Sequence, residues 1–461
     1  MKKNNLSIFV LVSLFACVSS VLPQTKKMFA FPGAEGFGRF AKGGRGGDVY
    51  HVTNVNDDGK GSLRYGIKKT KGPRTIVFDV SGNIRLNSPL TIKTGNITIA
   101  GQTAPGEGIT ISGYPFNTEA DDLIIRYIRC RLGDKSEYKN DAIHVGSGSN
   151  IIFDHVTASW SIDETFSFQS KNIDSLTVQW CMITESLRES YHRKGPHGYG
   201  GIIGGLRQTV HHNLYAHHSS RSPKVTGRRH CEVDFRNNVI YNWGYNNCYD
   251  GTSSFMNWVN NYYKSGPGTK DKVRRRIFSL SDEDIKAEGG NSYEDSYKYE
   301  TSLYAEGNYI EGYPEVTADN WNGGIDFTGG ATEEKNRALE PFDYPPIIEQ
   351  TALEAFPIVI SQAGASLVRD KIDSRIVSEV ITGTTTYGNA GLIDSEEDVG
   401  GLPELKSLPA PKDSDQDGMP DKWEIENDFN PDDPKDRNFD MDHDGYTNLE
   451  EYLNSLVINP Y

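Results

Sequence analysis

Two acidic stretches near the C-terminus, DSDQDGMPDKWE (413–424) and DMDHDGYTNLEE (440–451), repeat one frame. Asp413, Asp415 and Asp417, and again Asp440, Asp442 and Asp444, stand at loop positions 1, 3 and 5, where carboxylates converge on one hard cation. Gly418 and Gly445 hold position 6, where the chain must turn sharply, and Glu424 and Glu451 stand at position 12 as two-oxygen ligands. Asp421 fills position 9 of the first loop. Two frames in register point to Ca2+ rather than to a solvated acidic tail. From Asp413 to Tyr452 there are fifteen acidic and three basic residues, a net of −12.

A second concentration of chemistry has the opposite sign. Between Glu185 and Arg236 nine Lys and Arg face four acids, a net of +5, with seven of the chain's eleven histidines. The densest part is AHHSSRSPKVTGRRH (216–230). The chain as a whole carries −15, so a local cationic patch says more about the partner than the total does. The patch fits an acidic polymer lying in a groove. Four histidines here, His211, His212, His217 and His218, read as stacked turn residues rather than as a zinc site.

The elements that must position these groups are short strands. Runs such as NITIAG, LIIRYIRCRL, NIIFDHVTAS, SLTVQWCMIT, QTVHHNLYAH, EVDFRNNVIYN, FMNWVNNYY and LYAEGNYIEG recur between residues 96 and 310, each bounded by Gly, Ser, Asn or Asp. Aligning them on Tyr127, His155, Cys181, Asn213, Asn238, Asn261 and Asn308 gives steps of 28, 26, 32, 25, 23 and 47, the last reading as two coils with an insertion. A period in the twenties with several strands per repeat is the mark of a parallel β-helix, the recurring Asn-Asn fitting side-chain amides stacked from coil to coil. The leucine-rich-repeat frame is absent, and a β-sandwich would not need so regular a period. Ser62 is placed to N-cap a short helix closing the open end. Residues 264–300 read as an excursion, 335–400 as a weakly helical layer on the outside, and 403–412 (PELKSLPAPK) as a linker to a module over 413–461. Cys130, Cys181, Cys231 and Cys248 match no metal spacing and read as core thiols, with a Cys231–Cys248 disulfide as the alternative.

At NDAIHVGSGSNIIFDHVTASWSIDETFSF and the segments after it, the chain resembles the pectate lyases of polysaccharide lyase family one. The matching pieces are DAI, NIIFDH, LTVQWC, IIGG, TVHHNLY and SRSPKVTG, over roughly residues 95–265. The resemblance implies an all-β, right-handed parallel β-helix and Ca2+-assisted β-elimination of polygalacturonate. It implies Asp141 and Asp163 as calcium ligands, Arg221 as the base and a structural role for Asp154. Ser167 stands where a third carboxylate is usual, with Glu164 as substitute. Thr226 stands where a second arginine is frequent, with Arg228 or Arg229 to fill in. Lys224 and His197 fall among the substrate-binding groups. The insertion RESYHRKGPHGYGG leaves the substrate lysine open: alignment gives Arg188, coil counting gives Lys194. That counting runs Asp141, Ser167, Lys194, Arg221 in steps of 26, 27 and 27, the expectation being a ladder of one residue per coil. The tail resembles the linked calcium repeats of thrombospondin type 3 and dockerin modules.

The N-terminus, two lysines and an apolar run from Leu6 to Val18, reads as an export signal over residues 1–24. LFAC, with Cys17, is the alternative of a lipid anchor at the cell surface. With 24% charged residues and a mean hydropathy of −0.57, no other stretch is apolar enough to span a bilayer. The expectation is a secreted monomer, extracellular or periplasmic, binding an acidic polysaccharide and not nucleic acid. Rival readings are a β-helix galacturonan hydrolase, which needs two carboxylates flanking the bond, and a non-catalytic glycan-binding adhesin.

Overall fold

A computed structural model describes residues 27–227, 230–283 and 299–457. The expected signal segment, Cys17, and the cations Arg228 and Arg229 lie outside the described residues.

Each coil is three short strands facing a common interior. The coil Arg207–His211, Leu214–Ala216 and Lys224–Val225 pairs in parallel with Cys231–Arg236, Val239–Tyr241 and Cys248–Asp250 of the next. Repetition builds a parallel β-solenoid of about nine turns. Its first sheet runs from Asp48–Val52 to Ser302–Glu306, and its second from Gly82–Arg85 to Tyr309–Ile310. The third runs from Leu90–Ile92 to Ile325–Thr328, broken after Phe166–Ser167 and resumed at Ile202–Ile203. Because alternate residues of a strand point to one face, the interior is a set of like residues stacked by register. Ile99, Ile125, Phe153, Val178, Val210, Phe235 and Trp258 form one such column, the last two rings stacked at 4.0 Å.

The corner between the first and second sheets repeats one conformation. Tyr127, His155, Trp180, His212, Asn237, Asn260 and Gly307 all have φ between 53° and 68°. The residue after each leads into the second strand, and where it is asparagine a ladder forms. Asn213 Nδ2 donates to Asn238 Oδ1 at 2.9 Å, Asn238 to Asn261 at 3.1 Å, Asn261 to Asn308 at 2.9 Å and Asn308 to Asn320 at 2.9 Å. The equivalence expected from sequence was therefore one residue out at Tyr127 and His155. The 47-residue step is a single coil, since Asn261 touches Asn308 directly. Residues 264–300 are accordingly not a pure excursion: Phe278–Ser281 is the third-sheet strand of that coil, paired with Cys248–Asp250.

The helix Leu63–Lys68 covers the first coil, with the Ser62 side chain accepting from Tyr65 N at 3.2 Å and Leu63 and Ile67 buried. Helices Ala352–Gln362 and Lys371–Thr382 lie on the second sheet, where buried Arg129 and Arg131 meet Asp370 and Asp373. The four cysteines of the described residues are buried and free, so the Cys231–Cys248 disulfide is not formed. The four histidines do not gather as metal ligands: His212 stacks on Trp180 at 4.2 Å, and His218 bonds Ser186 and the Ile183 carbonyl.

The segment read as a linker is strapped to the solenoid. Lys406 N donates to Glu107 Oε2 at 2.6 Å, Leu408 N to the Pro105 carbonyl at 2.8 Å, and Ser407 bridges Gly106. The C-terminal residues then pack Met419, Leu449, Tyr452 and Leu453 against Val77 and Ala100 of the first sheet, and Arg45 pairs with Glu450 at 2.9 Å. The tail is thus docked on the solenoid by an apolar face.

Candidate active site and cation sites

The outer face of the third sheet carries a row set by register: Asn117, His144 and Ser167, then after the break Ile202, Lys224 and Tyr249. The site lies beside this row, where the turns leave the second sheet. Asp141 opens one coil and Glu164 the next. Glu164 N donates to Asp141 Oδ1 at 3.1 Å, and Ala142 N to the Glu164 carbonyl. Glu164 bridges Tyr199, and Tyr199 bridges Ser220, which precedes Arg221. The coil-counted ladder is therefore corrected. Successive steps here are 23, 35 and 21 residues, because the 188–201 insertion swells one coil while its neighbours stay short. Ser167 faces His144 in register rather than Asp141, although its hydroxyl reaches the Asp141 carboxylate.

Asp141, Asp163 and Glu164 bring carboxylate oxygens within 4.8 Å of one another. Asp141 and Glu164 are buried. Burial pushes the Asp141 carboxyl up, against the opposing pull of His144, whose Nδ1 donates to its Oδ2 at 3.3 Å. Burial also works to raise Asp163, but the His197 hydrogen bond (Nε2 to Oδ1, 2.8 Å) and the charges of His197, His192 and Arg221 hold it below the usual carboxylate range. His192 and His197 stack at 3.7 Å, and His197 meets the Tyr199 ring at 3.9 Å. Buried carboxylates crowded in this way fit a hard divalent cation with oxygen ligands.

Arg221 stands at the edge of the cluster. Its Nη1 contacts Glu164 Oε1, its guanidinium lies 4.4 Å over the Tyr199 ring, and its Nε donates to the Tyr249 hydroxyl at 3.3 Å. Its side chain is 20% exposed, so a ligand can reach it. Lys224 lies in the outer row with Nζ 3.4 Å from Asp250. The two candidates for a substrate cation sit elsewhere. Arg188 is tied to Asp394 at 3.0 Å and to Glu189 at 3.0 Å. Lys194 is exposed on the insertion, its backbone N bonded to His192 Nδ1 at 3.2 Å. Neither contacts Arg221 among the described residues. Sequence reasoning missed His144, His192 and Tyr199. The last two lie in the same HRKGPHGYGG insertion that supplied His197, two cationic or aromatic residues at short range that could have been weighed together.

The C-terminal loops hold a second set of carboxylates. Asp413, Asp415 and Asp417 come within 4.8 Å of one another, as do Asp417, Glu424 and Asp436, and Asp440, Asp442 and Asp444. Asp413 Oδ2 accepts from Gly418 N at 2.9 Å, which closes the loop at the left-handed Gly418 (φ 96°). Both oxygens of Glu424, both of Asp415, Asp417 Oδ2 and Asp436 Oδ1 are buried without a hydrogen-bond partner. Burial, reinforced by neighbouring carboxylates, pushes Glu424 up to about 8, Asp417 to about 7 and Asp415 to about 6. Orphaned buried oxygens of this kind fit a bound cation. Two details differ from the sequence frame. Asp421 turns away, accepting from Ser414 N at 2.7 Å and from Lys412 Nζ at 2.6 Å, because its carboxylate is drawn to an adjacent lysine. Asp436, twelve residues beyond Glu424, takes a place that the twelve-residue frame does not contain. In the second loop Glu451 stands outside the three-aspartate group, and burial with those aspartates raises it.

No family model matches the chain. The probable pectate lyase C of Aspergillus flavus is 37% identical over 462 residues, 97% of this chain and 99% of that protein. The probable pectate lyase C of Emericella nidulans is 38% identical over 444 residues, 95% of each. Among solved structures, the cedar pollen allergen jun a 1 is 20% identical, with a TM-score of 0.49 over 72% of this chain and 92% of that one.

Proposed function

The chain belongs to the pectate lyase family, and from that premise we propose that it cleaves polygalacturonate by β-elimination at the third-sheet groove, with Arg221 as the base. The observation that carries this reading is the adjacency of a reachable guanidinium to a three-carboxylate cluster, with Lys224 in the same groove. The C5 proton of a uronate is too weakly acidic to leave until the neighbouring carboxylate is neutralised. Asp141, Asp163 and Glu164 would hold a calcium ion, which would supply that neutralisation and stabilise the developing enolate charge. Asp163 is kept ionised for this role by His197 and His192. Tyr199 supports the Arg221 guanidinium from below, and a ligand that draws Glu164 aside leaves the guanidinium facing C5. Arg221 takes the proton, the C4–O bond breaks, and the leaving oxygen is protonated from solvent. Lys224 holds a substrate carboxylate in the outer row, and Lys194 reaches the polymer from the tip of the insertion.

The finer architecture follows the same reading. The solenoid is right-handed, as parallel crossovers are in about 98% of cases. Residues 413–461 would hold two Ca2+, one through Asp413, Asp415, Asp417, Glu424 and Asp436, the other through Asp440, Asp442 and Asp444, with Glu451 drawn in to complete it. Their role is structural. The N-terminal segment directs export, and the enzyme acts as a monomer outside the cytoplasm. No helix among the described residues is long and apolar enough to cross a membrane.

The experiment is ultraviolet detection of unsaturated product from polygalacturonate, with and without EDTA. Arg221→Lys keeps the charge but changes reach and planarity, so turnover falls by at least about a hundredfold while KM changes little. Saturated products would make the enzyme a hydrolase and sink the proposal. Near-normal turnover of Arg221→Lys at alkaline pH would place the base elsewhere.

A further inference from the structure

A cleft of about 540 Å³ opens beside the catalytic groove, walled by the 188–201 insertion, the turn at Gly244–Tyr245, the segment 267–274 and residues 389–392. That volume lies within the roughly 300–1,000 Å³ typical of ligand sites. Its connection to the reacting centre is short. His197, which bonds Asp163, forms part of its wall. Tyr245 donates its hydroxyl to the Tyr199 hydroxyl at 2.8 Å, and the Tyr199 ring lies under Arg221.

Two features say what the cleft takes. Tyr245 is 47% exposed although its hydroxyl is fixed, so an apolar ring face is held open at a constant angle. Such a face suits the C–H side of a sugar ring. The segment TKDKVRRRIF (269–278), left without a role by the sequence, brings Lys270 and Arg274 to the wall. Arg274 is paired with Asp271 at 3.0 Å and Arg188 with Asp394, whereas Lys270 is exposed and makes no ion pair among the described residues. An aromatic platform and one unengaged cation fit a sugar that carries a carboxylate.

We propose that this cleft is a distal subsite, in which Tyr245 stacks on a uronate of the polymer several residues from the scissile bond and Lys270 pairs with its carboxylate. The proposal rests on the lyase reading above. It makes the insertion a specificity device: the enzyme distinguishes long from short oligouronides through contacts that the reacting pair does not make. Binding energy from such remote contacts raises kcat/KM for long chains alone.

The test is a length series, from trigalacturonate to hexagalacturonate, followed by unsaturated product. Tyr245→Ala and Lys270→Ala are each expected to lower kcat/KM on the hexamer by about tenfold while leaving the trimer within about twofold. Tyr245→Phe keeps the ring and loses only the bond to Tyr199, so it should retain the length dependence. An equal loss on every length would assign Tyr245 to support of Tyr199 and overturn the subsite. No loss on any length would overturn it as well. If the wild type made no unsaturated product, the catalytic reading would fail on its own, and calorimetry of hexamer against trimer binding would still decide the cleft: a tenfold weakening of hexamer binding alone in Tyr245→Ala supports it, and unchanged binding refutes it.

Discussion

Glu424→Gln should change sign with calcium. Glu424 is fully buried, its two oxygens have no hydrogen-bond partner, and Asp417 and Asp436 bring carboxylate oxygens within 4.8 Å of it. Two unit charges at that distance repel by about 3.5 kcal/mol at an effective dielectric constant of about 20. Two such neighbours amount to about 7 kcal/mol, and the cost of about 1–3 kcal/mol for burying an unpaired amide in place of the carboxylate leaves a net relief of about 4–6 kcal/mol. With the cation chelated, Glu424→Gln should therefore stabilise the protein by about that amount at about pH 9, where Glu424 is charged. At about pH 5, where it is protonated, the substitution should be nearly neutral. In saturating calcium the same change removes a ligand, so it should lower Tm and weaken calcium binding by tenfold or more. The pH dependence has a definite direction. Glu424 at about 8, Asp417 at about 7 and Asp415 at about 6 are all raised above their unfolded values. The native state therefore holds protons that the unfolded chain has already released. This contribution to stability is complete below about pH 4 and is lost as the pH rises through 6 to 8. Melts in EDTA should fall across that window, and melts in calcium should not. If Glu424→Gln lowered Tm by the same amount in EDTA and in calcium at alkaline pH, the carboxylates would not be repelling one another and the cation site would be misassigned.

Two further perturbations test the scaffold. Asn261→Ala removes the acceptor of Asn238 N (2.9 Å) and of Asn238 Nδ2 (3.1 Å) and the donor to the Phe235 carbonyl (3.1 Å); orphaned buried groups cost about 1–3 kcal/mol each, so denaturant unfolding should show a loss of about 2–5 kcal/mol, and a loss under 1 kcal/mol would mean that the ladder is dispensable. Ending the chain at Leu405 strips Met419, Leu449, Tyr452 and Leu453 from the first sheet; at about 1.5–3 kcal/mol each as an upper bound, the truncated protein should melt well below the full chain, and an unchanged Tm would restore the tail to an independent module.

Much of the solenoid is legible because its repeat is made of residues that must be what they are. A left-handed corner followed by a buried amide admits few residue types, so NN before an aromatic recurs at Asn237-Asn238 and Asn260-Asn261 and marks the turn directly. Where the same corner is occupied by Tyr127 or His155, whose rings stack at 4.6 Å instead of bonding, the chemistry differs and the alignment slips by one. The docking of the tail was not legible, because its apolar residues also suit a small independent core. Only the partners Val77 and Ala100, more than three hundred residues away in sequence, reveal which core they serve.

The site divides along the same physical line. Asp141, Asp163 and Glu164 belong to coils of nearly equal length, so counting residues finds them as neighbours. Lys194 and Arg188 lie within an insertion, and there constant steps lose their meaning: the extra residues leave the solenoid, and only backbone pairing on either side restores the register. What the insertion does instead is fold back. Its His197 returns to Asp163 at 2.8 Å, its Tyr199 re-enters the ladder between Glu164 and Ser220, and its outer edge forms one wall of the cleft. A segment that defeats periodicity is free of the constraint that periodicity imposes. It can therefore bring groups to the groove at spacings that no regular coil provides, which places the least periodic chemistry of the chain beside its most repetitive structure.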